Sequence, residues 1–243
     1  LTTLNLVDNA QSATVNAIAG TRALTINESS STGGTLTDAL ATTVTLNHTG
    51  ATASAGLTVT AVAATTVNID SQGTAPTTGS ALTVADVNIT AATTLNFSGD
   101  TAITLTATSD VTALTGYVST NTAGVTISAT LGTADAFTGG SGADAITVGA
   151  SSVVSTLGSG NDTLTASVAL ATGGSVNGGD GTDTVSMTAA NAVTLSSTAA
   201  FEADIASFEV VSIGAIADSG AATAAAVSLA NLDSINSVKL AGA

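Results

Sequence analysis

The chain has 243 residues, 44% hydrophobic but only 2% aromatic, and carries a formal net charge of −15. Its two bases, Arg22 and Lys239, are too few to displace phosphate counterions, which excludes nucleic acid and disfavours an anionic membrane surface. Cysteine is absent, so disulfides, iron–sulfur clusters and thiolate zinc sites cannot form, and no apolar run is long enough for membrane insertion. A surplus of carboxylates instead attracts cations, calcium above all.

The apolar residues are Ala, Val, Leu and Ile in short bursts among Thr, which favours strands over helices. Two phrases alternate through positions 1–130. The first is "TTLNL" at 2, "TTVTL" at 42, "TTVNI" at 65 and "TTLNF" at 93. The second is "ALTI" at 23, "GLTV" at 56, "ALTV" at 81, "AITL" at 102 and "GVTI" at 124. A weaker "VTAL" at 111 fills the slot where the first phrase is next due. Both phrases alternate apolar and polar residues, the pattern of a half-buried strand. From position 42 onward like phrases return at nearly even intervals. The interval from 2 to 42 is longer and leaves room for an extra coil using "ATVNAI" at 13–18. This spacing fits a parallel β-solenoid, or β-helix, with two main strands per coil. An antiparallel sandwich of the immunoglobulin type also has short strands and frequent turns. A chain with no Trp and five other aromatics suits the narrow solenoid better.

A different phrase follows. The pattern G-G-x-G-x-D-x-U-x, with U a large apolar residue, is matched by "GGSGADAIT" (139–147) and "GGDGTDTVS" (178–186), and with one substitution by "LGSGNDTLT" (157–165). A degenerate copy, "TLGTADAFT" (130–138), precedes them. Glycines permit the turn and expose carbonyls, the aspartate supplies a hard anionic oxygen, and the x-U-x tail is a short strand. If each nonapeptide makes half a coil, turns two nonapeptides apart share an edge. Asp144 and Asp162 are separated by that interval and so stack, and Asp183 joins them one coil and three inserted residues later. The opposite edge receives Asp135 and then Val153, which has no ligand. Two carboxylates about 5 Å apart repel by roughly 3 kcal/mol at an effective dielectric near 20. A divalent cation between them reverses that sign. The expected calcium ligands are Gly139, Ser141, Ala143, Asp144, Ser159, Asn161, Asp162, Gly178, Asp180, Thr182 and Asp183, with Asp180 as an additional oxygen.

These residues resemble the RTX family of secreted bacterial proteins, which carry hemolysin-type repeats folded as a calcium-binding β-roll. The resemblance is specific to 130–186. It implies calcium-dependent folding after type I export to an extracellular or cell-surface location, but no particular activity. The stretch after the roll, "FEADIASFEVVSIGAIA" and "VSLANLDSINSVKLAGA", together with the Thr/Ala/Gly/Ser/Val bias, is similar to the Caulobacter-type surface-layer proteins. That similarity implies self-association into a lattice, with cell-surface polysaccharide as a further partner. A secreted RTX adhesin stalk and a non-catalytic module of a polysaccharide-active enzyme remain as alternatives.

The division expected is a Thr/Ala-rich β-solenoid over 1–129, a calcium-binding β-roll over 130–190, and a short helix with continuing solenoid strands over 191–243. Both ends read as strands, so the chain reads as a segment of a longer polypeptide.

No enzyme is expected. Arg22, His48, Tyr117 and Lys239 are scattered over different phrases. His48 reads as an exposed turn residue and Tyr117 as an edge-packing one. Arg22 reads as a solvated strand end or salt-bridge partner, and Lys239 as an outward strand residue. Glu202, Asp204 and Glu209 lie in "FEADIASFE", whose helical spacing puts Phe201, Ile205 and Phe208 on one face. Asp70, Asp100 and Asp110 end strands and read as turn caps.

Overall fold

The computed structural model describes residues 1–7, 11–15, 21–50, 52–73, 80–196, 199–214 and 235–240. The chain forms two compact units, one of residues 1–129 with 140–142, the other of 130–139 with 143–243. Each is built from parallel β-strands coiled as a β-solenoid.

The first unit runs through β1 (Thr3–Val7), β2 (Ala13–Thr14), β3 (Ala23–Ser29), β4 (Thr35–Thr37), β5 (Thr43–Thr49) and β6 (Ser54–Thr60). It continues with β7 (Thr66–Gln72), β8 (Leu82–Asn88), β9 (Thr94–Gly99), β10 (Ile103–Asp110), β11 (Gly116–Ser119) and most of β12 (Val125–Leu131). Odd-numbered strands lie side by side in one sheet and even-numbered strands in another. Neighbours pair in parallel, as β3 with β5 and β8 with β10, which rules out the antiparallel sandwich. Each coil therefore visits both sheets once. The registers set the coil lengths, and these vary: Thr43 pairs with Thr66, whereas Val67 pairs with Leu95 around a longer coil.

Three details differ from the sequence reading. The "ALTI" strand β3 joins the sheet of the Thr-Thr phrase, with Ala23 opposite Thr43. Both phrases share a two-residue alternation, so either fits either sheet, and connection length decides. The extra coil is thus completed by β2, β3 and β4; positions 16–18 of its "ATVNAI" phrase lie outside the described residues. "VTAL" is a turn, closed by a bond from Leu114 N–H to the Val111 carbonyl at 2.9 Å, and β11 takes the strand slot. Finally, Leu57 pairs with Val84 rather than with the phrase-equivalent Leu82, through irregular register between β6 and β8.

Alternation sends every second residue inward, and parallel stacking aligns those residues into columns. Leu24, Val44, Val67, Leu95 and Tyr117 form one, and Ile26, Leu46, Ile69 and Phe97 the next. All are at most 2% exposed. Tyr117 is thus a core residue continuing an aliphatic column, not an edge-packing one. Outside, Asn27 donates to Asn5 and Asn47 to Asn27 at 2.9 and 3.1 Å, an amide ladder. Arg22 is an ion-pair partner, reaching both oxygens of buried Asp38 at 2.5 and 2.6 Å. Among the acids read as caps, Asp100 accepts from Gly73 N–H at 2.7 Å and Asp70 from Ser98 Oγ at 2.5 Å.

The third inward column is polar. Glu28 pairs with His48 in register, and His48 with Ser71. All three are at most 1% exposed, so His48 is buried rather than an exposed turn residue. Its Nδ1 lies 2.7 Å from Glu28 Oε2 and its Nε2 lies 3.1 Å from the Ser80 carbonyl. Glu28 Oε1 also accepts from Ser31 N–H at 2.7 Å and from Ser54 Oγ. Burial by itself raises the Glu28 carboxyl, but the bonds from His48, Ser54 and Ser31 outweigh it and hold the group below its ordinary 4.5. Its stabilising contribution is therefore complete above about pH 4.5 and declines as pH falls below that value. Replacing one partner leaves a buried polar atom of the other without its bond, at a cost of about 1–3 kcal/mol. Thermal unfolding of Glu28→Ala and of His48→Ala should each show a loss of that size at pH 7. Glu28→Ala should also flatten the decline in stability that the unchanged chain shows between pH 5 and 3.

The second unit contains β13 (Ala136–Thr138), β14 (Ala145–Val148), β15 (Val154–Thr156), β16 (Ser159–Gly160), β17 (Thr163–Ala166), β18 (Ser175–Asn177), β19 (Asp180–Gly181) and β20 (Thr184–Met187). Two short helices follow, α1 (Ala189–Leu195) and α2 (Ala199–Asp204), then β21 (Ile205–Ala206), β22 (Val210–Ile213) and β23 (Ser237–Leu240). One sheet is β13-β15-β18-β21, the second is β14-β17-β20-β22-β23, and β16 pairs with β19. Helix α1 starts where Thr188 Oγ1 accepts from Asn191 N–H at 3.2 Å. "FEADIASFE" is not one helix: the helix stops at Asp204 and turns into β21, with Phe201, Ile205 and Phe208 all buried. Lys239 is exposed on β23. Positions 215–217 of "FEADIASFEVVSIGAIA", and 227–234 and 241–243 of the C-terminal phrase, lie outside the described residues.

Candidate metal centre

The glycine–aspartate turns link one sheet of the second unit to the other. Thr138 pairs with Thr156 and Ala145 with Thr163, the same interval that separates Asp144 from Asp162. The next coil is longer, with Val154 opposite Ser175 and Thr163 opposite Thr184. Ser159 pairs with Asp180 and Gly160 with Gly181 at that longer spacing. The three inserted residues therefore fall on the opposite corner, between β17 and β18. The turns 157–162 and 178–183 stay equal in length and stack along their course.

This stacking brings Asp144, Asp162 and Asp183 into one buried column, each at most 1% exposed. The backbone N–H of Asp144 donates to Asp162 Oδ1 at 2.7 Å, and that of Asp162 to Asp183 Oδ1 at 2.8 Å. A fourth rung follows: the N–H of Asp183 donates to Glu209 Oε2 at 2.8 Å. Asp162, Asp183 and Glu209 thus each cap the amide of the preceding coil. One oxygen per rung is used in this way. The second oxygens of Asp162 and Asp183 are buried and have no hydrogen-bond partner. An orphaned buried acceptor of this kind costs about 1–3 kcal/mol, or more when charged.

The electrostatics follow from that placement. Burial pushes the Asp162 carboxyl up to about 7; the Asp144 amide pulls it down, and the charges of Asp144 and Asp183 push it further up. Burial also raises Asp183, against the bond from the Asp162 amide and with the charges of Glu209 and Asp180. Both groups are held as anions only at a cost that a nearby cation would offset.

The leading glycine of the repeat has a steric reason. A methyl group on Gly139 would stand 2.6 Å from Asp144 Oδ2 and collide with the Leu157 carbonyl. One on Gly178 would stand 2.5 Å from Asp183 Oδ2 and collide with the Ser207 carbonyl. In each case a carboxylate oxygen and a carbonyl oxygen of the next coil converge beside one glycine Cα. The middle turn has Leu157 in this position, fully buried.

The remaining expected ligands divide by side chain. Ser141, Ala143, Asn161, Asp180 and Thr182 are exposed or half-exposed, while Ser159 sits half-buried in β16. Asn161 Oδ1 accepts from Thr182 N–H at 2.9 Å, which ties consecutive turns together. On the other corner Asp135 Oδ2 caps Gly132 N–H at 2.9 Å. Among the described residues no three acid, imidazole or thiol side chains converge as a preformed cage. Donors are oxygens throughout, the set that suits a hard cation with several carbonyl and water ligands rather than zinc.

Glu209 is not among the expected ligands, because the spacing of its neighbours groups it with a helix. A signal is nevertheless present. Asp144, Asp162, Asp183 and Glu209 each stand two positions before a buried apolar residue of the next strand, Ile146, Leu164, Val185 and Val211.

No protein-family model matches the chain, and no curated protein is significantly similar to it in sequence.

The raised Asp162 value sets a pH dependence for the chain without divalent ions. Between the ordinary 3.8 and about 7, the folded state holds a proton that the unfolded state has released. Stability therefore falls as pH rises across that window. In chelator, the second unit should unfold at a lower temperature at pH 8 than at pH 5. Asp162→Asn, which keeps an amide acceptor without the charge, should remove most of that difference.

Proposed function

We propose that this chain is a calcium-stabilised structural segment of a secreted, self-assembling bacterial surface-layer protein. The observation that carries the calcium reading is the buried column of Asp144, Asp162 and Asp183, with two carboxylate oxygens left unpartnered. Calcium between neighbouring rungs would be held by Asp144 with Asp162 and by Asp162 with Asp183. It would supply the charge that makes three stacked anions tolerable and would complete its shell with backbone carbonyls of the turns. The repeat pattern and the RTX resemblance support the same assignment.

A structural rather than catalytic role is supported by how the scarce reactive side chains are used. His48 is consumed in a buried pair with Glu28, Tyr117 in a core column, and Arg22 in an ion pair with Asp38. Among the described residues no helix is long and apolar enough to cross a membrane, which says nothing of membrane β-barrels. Export through a type I channel and lattice formation rest on the resemblance.

Calorimetric titration with calcium chloride at pH 7.5 tests the metal. The chain should bind at least one ion, and Asp144→Ala with Asp162→Ala should lower the count. At a hundredfold excess over Kd each occupied site should add about 2.7 kcal/mol of stability. Hydrogen exchange should show protection at 139–186 that is lost on chelation before that of 1–125. Protection indifferent to calcium would overturn the reading. Electron microscopy of the calcium-loaded protein tests assembly: ordered sheets are expected, whereas monomers that bind a glycan surface would favour an adhesin stalk.

A further inference from the structure

The acid column runs past the repeats into a turn of different construction. The glycine–aspartate turns take six residues, 139–144, 157–162 and 178–183, to cross from one sheet to the other. The next crossing, between β21 and β22, takes three: Ser207, Phe208 and Glu209. Thr184 nevertheless pairs with Val210, which sets Glu209 against Asp183. Asn177 pairs with Ala206, which sets Ser207 against Gly178.

Two departures let the shorter crossing close. Ser207 adopts φ of +58°, a left-handed conformation that costs a non-glycine residue about 1–2 kcal/mol. The Ser207 carbonyl lies against Gly178, at the point where Asp183 Oδ2 also arrives. The acid is a glutamate, whose additional methylene lets Oε2 reach the Asp183 amide at 2.8 Å. Phe208 between them is fully buried and anchors the crossing in the core. The unpartnered Asp183 Oδ2 and the Ser207 carbonyl thus both arrive beside Gly178, while the Glu209 carboxylate sits on the Asp183 amide, and both new oxygens come from a segment that carries no repeat.

We propose that Glu209, Asp183 and the Ser207 carbonyl form an additional calcium-type cation site that closes the acid column, one that the nonapeptide pattern does not encode. It rests on the calcium reading of the column, and it assigns Glu209 a ligand role in place of a helical surface one. The charge of Glu209 is one cause of the raised Asp183 carboxyl, as expected for two anions that share a neighbourhood.

The test is calorimetric titration of the full chain with calcium chloride, comparing the unchanged protein with Glu209→Gln and Glu209→Asp. Gln keeps an acceptor for the Asp183 amide without the charge; Asp keeps the charge but is one methylene short. Both should lose one ion from the count, or weaken one site by more than about tenfold, with the other sites unchanged. Asp144→Ala, at the far end of the column, should leave this site intact. If the unchanged chain binds calcium and both variants match it in count and affinity, the proposal is overturned while the calcium reading stands. If the unchanged chain binds none, both fall. Hydrogen exchange at Val210–Ile213 without calcium separates the structural role: protection kept in Glu209→Gln and lost in Glu209→Asp, with calcium binding normal in both, would mean that Glu209 is an amide cap alone and would also overturn the proposal.

Discussion

In-register stacking of parallel coils is the constraint on which the rest of this structure depends. Once a coil closes, each residue is placed directly against its counterpart in the next, about 4.8 Å away. A residue type that cannot tolerate its own kind at that distance cannot recur in a column. Leu, Val, Ile and Phe tolerate it inside, because like shapes stack and apolar area is removed from water. Columns such as Ile26, Leu46, Ile69 and Phe97 follow directly.

Polar columns must solve the same problem chemically, and three solutions are present. An amide is both donor and acceptor, so Asn5, Asn27 and Asn47 satisfy one another without help. A second column changes chemistry at each rung: Glu28 pairs with a ring nitrogen of His48, and Ser71 in the next rung bonds Thr101, so that no acid stacks on an acid. The third column repeats an acid. Carboxylates only accept, so Asp162 and Asp183 each take a backbone N–H from a neighbour with one oxygen and have nothing for the other. Of the three, this arrangement alone leaves buried side-chain oxygens without a partner among the described residues.

Much of this is legible in the sequence. Two-residue alternation and the long-period return of like phrases identify a solenoid, and the interval of two nonapeptides sets Asp144 over Asp162. The departures share one cause: likeness of wording is local, whereas inward parity is inherited along a whole strand. Glu28 and His48 continue the inward series Leu24, Ile26 and Val44, Leu46, so alternation places them inside although polarity suggests otherwise. The wording of "ALTI" points to one sheet, but the length of chain between strands decides which sheet a strand joins. Helical spacing in "FEADIASFE" hides Glu209, yet its position before Val210 and Val211 matches that of each repeat aspartate. The orphaned oxygens and the Ser207 conformation have no sequence signature, because they arise from how consecutive coils abut.

The distribution of these columns divides the dependence on solvent ions. In the first unit, buried acids find nitrogen partners within the chain: Glu28 has His48 and Asp38 has Arg22. These two pairs use the chain's sole histidine and one of its two bases. In the second unit the described base is Lys239, exposed on β23, while acids stack in the interior. A chain this poor in cationic side chains cannot neutralise four consecutive acidic rungs from its own composition. Protonation relieves that repulsion at low pH, and under the calcium reading proposed above a bound cation would relieve it at neutral pH. The scarcity of bases that weighs against nucleic-acid binding is thus the same property that leaves the acid column without a cationic side chain of its own.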